Sequence, residues 1–543
     1  MHNKNILFHR VVSILEQARS NIVFFVNNNK RIDIKNIFLA IITGLMLTAA
    51  FPRTGVDIFA WFALVPLLWA VNNATSVFYL GCLAGFIHYL TLVYWLITAM
   101  HEYGHLPVFT CVPLLILLCM YLSVYIGLFC VLVKRLCSKP SQLIWAPFYW
   151  VTLEYARSLT QFAFPWELLG YSQYMKLPLI QIADITGVYG VSWIIVYFNV
   201  SVVLFLLFST RQDWNSFHVS LKNVYILLGG TILFFVLILS YGITRIHQID
   251  KNIQNTKEQI NVTVIQGNID QAVKWDEKFR ITTLQKYINL SQTSDEDSDL
   301  VVWPETAVPI YIQQKTSLSE NLRNYIKSQS ASFLIGGLRY DQQANSQWSF
   351  YNSAFLINPM LSEDQTYDKA HLVPYGEYIP FQTIFPFLNK FVEGVGNFSE
   401  GKQLKPLNSE KWSYGPQICY EILFPSLSRT LVQEGADVLI NITNDAWYGI
   451  SSAPYQHFSM TVFRAVENKR SLARAANTGV SGYINPFGKI LDSSDIFTEA
   501  KMTCKLPVLN EMTFYTRYGD VFAIFCVIVF FIALVYNVNF KKK

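Results

Sequence analysis

Charge is what this sequence has least of. Only 15% of its 543 residues are Asp, Glu, Lys or Arg, while 52% are apolar, and that imbalance excludes an ordinary soluble enzyme. Cysteine is sparse where a stapled fold would need it. Cys82, Cys111, Cys119, Cys130, Cys137 and Cys526 fall in or beside long apolar runs and read as small packing residues. Only Cys419 and Cys504 lie in the polar half, which excludes a disulfide framework. An oxidising compartment leaves a Cys419–Cys504 bridge open, but the setting of Cys419 fits another role better. No pair there has metal-ligand spacing, and nucleophilic chemistry on a thiol would need no metal, nucleotide or other cofactor. Internal repeats and low-complexity tracts are absent. The first 30 residues also lack a signal peptide's features: the apolar run at 22–26 is short, and 27–31 offers no small-residue cleavage site. They read as a cytoplasmic leader.

The apolar residues are concentrated. Runs long enough to cross a bilayer lie at about 36–52, 55–72, 76–100, 107–133, 141–158, 188–208, 224–244 and 520–538. Glu154 and Arg157 interrupt the fifth, and Pro52 and Gly55 mark a turn between the first two. These boundaries predict a cytoplasmic segment at 1–35, a seven-helix transmembrane bundle at 36–244, an extracytoplasmic domain at 245–519, and an eighth helix with a basic tail at 520–543. The cations Lys4, Arg10, Arg19, Lys30, Arg31 and Lys35, the group Lys134, Arg135 and Lys139, and Lys541–Lys543 share one side if there are eight spans. The excess of Lys and Arg makes that side cytoplasmic. Residues 245–519 hold 25 Lys and Arg against 28 Asp and Glu, a net of −3, whereas the remainder holds 17 against 9, a net of +8. The basic excess therefore belongs to the membrane part, and nothing calls for nucleic acid.

Between 245 and 519 strand and helix patterns alternate. Strands are expected at 260–266, 299–303, 333–337, 353–357, 412–419, 438–443, 471–477 and 482–484, with helices at 278–291, 318–329, 423–434 and 455–468. That alternation predicts a layered α/β domain, with chemistry at strand ends. The stretch 381–400 is an apolar loop broken by Pro386, Gly394 and Gly396, equally readable as a flap toward lipid or a buried connection.

Three residues stand at such strand ends or beside turn motifs. Glu305 lies in VVWPETAVP, Lys369 in YDKAHLVPYGEYIP and Cys419 in QICYE. A carboxylate can take the thiol's proton, the thiolate can attack a carbonyl, and an ammonium can hold the resulting oxyanion. Each alone has an ordinary explanation: a surface Glu, a solvated Lys, a core Cys. The three in order are far more specific.

That order and its settings resemble the nitrilase, or carbon–nitrogen hydrolase, superfamily. The whole chain, apolar helices included, resembles the bacterial apolipoprotein N-acyltransferase family, through FPWELLGYSQ at 164–173, QGNIDQAVKWDEK at 266–278, NDAWYG at 444–449 and QHFSM at 456–460. The resemblance implies an αββα sandwich for the outer domain. It implies Glu305 as general base, Lys369 as oxyanion stabiliser and Cys419 as nucleophile. Glu377 would support Lys369 or the base, and Tyr420 and Glu421 would shape the nucleophile's turn. Trp275 and Trp447 would line substrate access, or else serve as core aromatics. It further implies transfer of an acyl chain from phosphatidylethanolamine, through a Cys419 thioester, to the α-amino group of a diacylglyceryl-cysteine on an apolipoprotein. The enzyme would be a monomer in the inner membrane, with its catalytic domain on the periplasmic side. Two alternatives remain open on the residues themselves: a membrane-anchored amidase that passes the acyl group to water, and a non-catalytic transporter or scaffold that binds lipoproteins, with Glu154, Arg157 and Glu167 marking a polar pathway.

Overall fold

The computed structural model describes residues 33–159, 163–274, 276–292, 298–342, 346–360, 363–374, 376–378 and 398–540. Trp275, the first 30 residues and nearly all of the 381–400 loop lie outside the described residues.

Every apolar run forms helix, though not always one helix. The membrane part comprises α1 (Ile34–Ala49), α2 (Leu64–Asn73), α3 (Val77–Leu92), α4 (Val108–Leu136), α5 (Ala146–Ser158), α6 (Val188–Ser209) and α7 (Leu221–Asn255). Among the described helices, α4, α6 and α7 are each long and apolar enough to cross a membrane. A fourth span results if α3 and the helical piece Leu96–Tyr103 count together, but they meet at a bend of 61°. The expected continuous helix over 76–100 is therefore broken. The carbonyls freed at such a break need donors, and the Gln456 side chain donates to the Leu92 and Pro52 carbonyls at 3.3 and 3.0 Å. The expected helix over 55–72 likewise begins late. A 3-10 turn (Asp57–Trp61) precedes α2, and Asn199 of α6 bridges the junction, accepting from Leu64 N and donating to Ala60 O. The run at 141–158 divides into a 3-10 turn (Pro140–Trp145) and α5. Large apolar side chains stand exposed along α4 and α7, among them Phe109, Leu117, Ile232 and Val236, the kind of surface a bilayer covers.

The α/β domain contains two six-stranded sheets. Its strands are β1 (Gln259–Gln266), β2 (Leu300–Tyr311), β3 (Ser332–Gln342), β4 (Trp348–Ile357), β5 (Gln365–Asp368), β6 (Leu407–Asn408), β7 (Ser413–Ile418), β8 (Val438–Thr443), β9 (Ser471–Ala476), β10 (Gly482–Ile484), β11 (Ile490–Ser493) and β12 (Ala500–Pro507). The sheet orders are β12-β1-β2-β3-β4-β5 and β11-β10-β9-β8-β7-β6. Each sheet has three parallel strands (β1–β3 and β7–β9) flanked by antiparallel ones, so the second repeats the plan of the first.

Strand alternation builds the layers. Val262, Val264, Leu300, Val302, Leu334 and Leu356 face the second sheet, sharing a core with Leu439 and Ile440. Their neighbours Val301, Trp303, Phe333, Ile335 and Phe355 face outward, against α8 (Arg280–Gln292) and α9 (Ser317–Lys327). On the far side α10 (Pro425–Gln433) and α11 (Ala453–Asn468) cover the second sheet, giving helix, sheet, sheet, helix. α11 is buried along nearly its whole length, because its other face meets the membrane helices in one continuous core. A final helix, α12 (Val521–Phe540), packs against α5.

Candidate functional site

The site forms where the parallel strands of both sheets end. β2 does not stop before Glu305 but runs on to Tyr311, with its register to β3 broken between Trp303 and Val308. Thr306 adopts a left-handed φ of 46°, and that irregularity turns Glu305 inward. The neighbouring strand permits this only because residue 336 is glycine. A Cβ there would lie 2.4 Å from Pro304 O and 2.6 Å from Glu305 Cα.

Glu305 Oε1 accepts from Asn352 Nδ2 at 2.7 Å and from Lys369 Nζ at 3.4 Å, and its Oε2 accepts from Asn444 N at 2.9 Å. Lys369, 1% exposed, follows β5, and its Nζ also reaches Glu377 Oε1 at 2.9 Å. Asn352 Nδ2 donates to Glu377 as well, at 2.8 Å, so one amide and one ammonium hold both carboxylates. Burial opposes the charge on Lys369, but Glu377 and then Glu305 outweigh it, so the lysine holds its proton above the ordinary range. Lys274 provides the contrast. It is equally buried and donates to the Glu305 carbonyl at 3.2 Å and to Thr306 Oγ1 at 2.7 Å, yet burial outweighs the attraction of Glu305 and brings it down to about 7.

Cys419 follows β7 directly and opens a 3-10 turn (Cys419–Leu423), with φ 53°. A non-glycine residue rarely adopts that conformation, which presents a nucleophile at a tight strand-to-helix turn. Glu421 grips the turn from one side. Its Oε2 accepts from Ile418 N at 2.7 Å, and its Oε1 accepts from Ala370 N at 2.6 Å and His371 N at 3.1 Å, tying the cysteine turn to the lysine loop. The Tyr420 hydroxyl donates to Ala163 O at 3.1 Å, which ties the same turn to the segment before α6. Burial pushes the Cys419 thiol well up, Glu305 adds to this, and Lys369 opposes it. At rest the sulfur is protonated, so a base must take its proton before attack.

The structure thus brings together Glu305, Lys369, Glu377, Cys419, Tyr420 and Glu421. Trp447 stands apart, 37% exposed, its ring against Tyr103 at 5.2 Å. Cys419 and Cys504 are both free thiols. Among the described residues, no group of three or more His, Cys, Asp or Glu side chains could hold a metal.

Sequence reasoning missed the partners beneath this layer. Asn352 and Asn444 orient Glu305. His457 of α11 places Nε2 3.2 Å from Cys419 O and Nδ1 2.9 Å from Asp445 Oδ1, while Arg474 Nη2 donates to Asp445 Oδ2 at 2.7 Å. Burial would protonate Asp445, but Arg474 and His457 outweigh it and hold the carboxyl down at about 2. Asp445 and His457 fall within the NDAWYG and QHFSM stretches. The available signal was that position alone, since Asn352 and Arg474 lie within strands and carry no motif of their own.

Comparison with known proteins follows the same division. Residues 43–201 match the family model described as the apolipoprotein N-acyltransferase N-terminal domain, and residues 261–508 match carbon–nitrogen hydrolase. The chain is 40% identical over 498 residues to an apolipoprotein N-acyltransferase of Geobacter metallireducens, covering 91% of this chain and 93% of that one. It is 33% identical over 464 residues to one of Rickettsia prowazekii, covering 84% and 88%.

Proposed function

The chain belongs to the apolipoprotein N-acyltransferase family and is an acyltransferase, and on that premise we propose that it moves an acyl chain from phosphatidylethanolamine to the N-terminal amine of a diacylated lipoprotein, through a thioester on Cys419. The observation that carries this reading is the buried cluster of Lys369, Glu305 and Glu377, electrostatically coupled to a thiol in a left-handed turn.

Glu305 takes the Cys419 proton as sulfur attacks the ester carbonyl of the lipid. The negative oxygen that forms is held by the Lys369 ammonium, whose proton the two carboxylates secure. When the intermediate collapses, the carbon–oxygen bond breaks and the leaving alkoxide takes the proton from Glu305. A thioester and a lysophospholipid remain. In the second half, the unprotonated α-amine attacks the thioester and gives up a proton to Glu305. The carbon–sulfur bond breaks, and the thiolate recovers that proton. An amide and the resting thiol result, the two-stage pattern of covalent catalysis. Glu377 and Asn352 keep the ammonium and the base at fixed separation, and the exposed Trp447, outside that cluster, would serve substrate access.

Water would divert the thioester to hydrolysis. Placing the nucleophile's turn over membrane helices keeps it where lipid is concentrated and water scarce. We propose eight passes: the three long helices and, as five more, α1, α2, α3 with the piece after its bend, α5 and α12. The domain boundaries would be those at 35, 244 and 519, with the 245–519 domain on the periplasmic face of the inner membrane, opposite the basic loops. The working unit would be a monomer.

Intact-protein mass spectrometry tests the reading. Purified enzyme mixed with phosphatidylethanolamine alone should gain one acyl mass, sensitive to neutral hydroxylamine and absent from Cys419→Ala, and a diacylated lipopeptide should discharge it. No adduct on folded enzyme, with ammonia released from small amides, would replace this reading with the amidase.

A further inference from the structure

We infer that His457 is a positioning residue for this reaction, holding the nucleophile's turn in its left-handed form through an Nε2–H bond to the Cys419 carbonyl. The inference rests on the reading of Cys419 as nucleophile.

The ring's surroundings fix its tautomer. Nε2 lies 3.2 Å from a carbonyl oxygen, which only accepts, so Nε2 must carry hydrogen. Nδ1 lies between Arg474 Nη2 at 3.0 Å, a permanent donor, and Asp445 Oδ1 at 2.9 Å, an acceptor. Nδ1 finds a partner with or without a proton, and the Nε2 hydrogen is retained in both states. Asp445 is itself held by Arg474 and by the Thr443 hydroxyl at 3.0 Å, and Arg474 Nε is anchored on Val480 O at 3.2 Å. The imidazole is therefore locked at both ends and fully buried.

Two clamps then act on the turn. Glu421 takes the N–H of Ile418 on one side of the cysteine, and His457 takes the carbonyl of Cys419 on the other. With the second clamp gone, the carbonyl can rotate and φ can relax from 53°, which swings Sγ away from Glu305 and Lys369. The clamp is set from the membrane side. Gln456, the preceding residue, accepts from the indoles of Trp95 at 3.2 Å and Trp166 at 2.9 Å and donates to the Pro52 and Leu92 carbonyls. The Trp166 ring also lies 5.7 Å from the His457 ring. The broken membrane helix thus fixes the turn of α11 that reaches the nucleophile.

Two replacements separate this role from a merely structural one. Gln places its amide nitrogen near the Nε2 position, and Asn places its amide near Nδ1. In the full chain with phosphatidylethanolamine, acyl-enzyme formation is timed by intact mass on the folded fraction, alongside Tm and the donor KM. H457Q is expected within about fivefold of wild type. H457N is expected about 100-fold slower at saturating donor with KM unchanged, the scale of a misplaced reacting group. Equal rates for the two, or a faster H457N, would overturn the inference even if both melt early. Q456M, which leaves the imidazole in place, keeps the idea testable should H457N fail to fold. It is expected to slow acylation without changing KM, and a wild-type rate overturns the link through α11. An identical adduct on Cys419→Ala instead removes the nucleophile reading itself.

Discussion

Replacing Lys369 with methionine removes the cation that Glu305 and Glu377 share, the one such cation among the described residues, while keeping an unbranched side chain of nearly the same length. The ammonium lies 3.4 Å from one carboxylate and 2.9 Å from the other, at 1% exposure, so water cannot compensate its loss. Two buried carboxylates then share Asn352 Nδ2 as their common donor. Breaking a buried pair from one side costs about 3–5 kcal/mol of stability. Loss of one oxyanion donor costs about 100- to 1,000-fold in rate, or roughly 2.7–4 kcal/mol of barrier. K369M should therefore fold with a markedly lower Tm and acylate Cys419 at least about 100-fold more slowly than wild type. Arginine should not rescue it, because a planar fork cannot take the place of a point charge between two carboxylates. The assay is rapid quenching of purified enzyme with phosphatidylethanolamine, followed by intact mass. If folded K369M acylates within about tenfold of wild type, Lys369 is no oxyanion donor and the mechanism must be redrawn.

Further outcomes follow from the same geometry. Gly336→Ala places a Cβ against the backbone at Pro304 and Glu305; it should cost about 100-fold in acylation by displacing the base, and an unchanged rate on folded enzyme would refute that. Burial depresses Lys274 from 10.5 to about 7, so the unfolded chain binds an extra proton between those values and wild-type stability falls as pH drops from about 10 to about 7. Lys274→Met lacks that term: its Tm deficit against wild type should be largest near pH 10 and shrink toward pH 7, and a constant deficit would contradict the buried neutral amine. Glu421→Gln puts an amide donor against one of four donors already pointing at that carboxylate, from Ile418 N, Ala370 N, His371 N and the Tyr367 hydroxyl. A stability loss of about 1–3 kcal/mol is expected in denaturant or thermal unfolding, and none would mean the turn is held elsewhere.

Much of the sandwich was legible because parallel strands buried on both faces leave continuous apolar runs. The parallel strand Val438–Thr443 falls where the sequence predicts it, and so does the short antiparallel strand Gly482–Ile484, which is also buried throughout. β12 was missed although AKMTCKLP alternates Ala500, Met502, Cys504 and Leu506 with Lys501, Thr503 and Lys505: the segment is short and half-exposed along most of its length, and its pairing with β1 is what places it in the sheet. β2 was cut short for a related reason: proline after Trp303 reads as a stop, yet the strand passes through Pro304 at an irregularity. Apolarity located the membrane helices but could not reveal the bend after Leu92, which depends on Gln456, distant in sequence. At the site, Glu305, Lys369 and Cys419 were readable because their residue types state their chemistry. His457, Asp445, Asn352 and Arg474 act through other residues, and only tertiary structure shows which atoms they hold.

The double burial of α11 bears on how this enzyme could ever be handled or have arisen. Phe458, Met460, Val462, Phe463 and Val466 share one core with the sheet above and the helices below. A fragment cut at residue 245 would bare that apolar floor and, with it, the underside of the nucleophile's own scaffold. Solubilising the enzyme by truncation should therefore yield aggregate rather than a freely diffusing hydrolase. By the same reasoning, hydrolase and bundle could change only in concert along this seam, each serving as the other's missing layer.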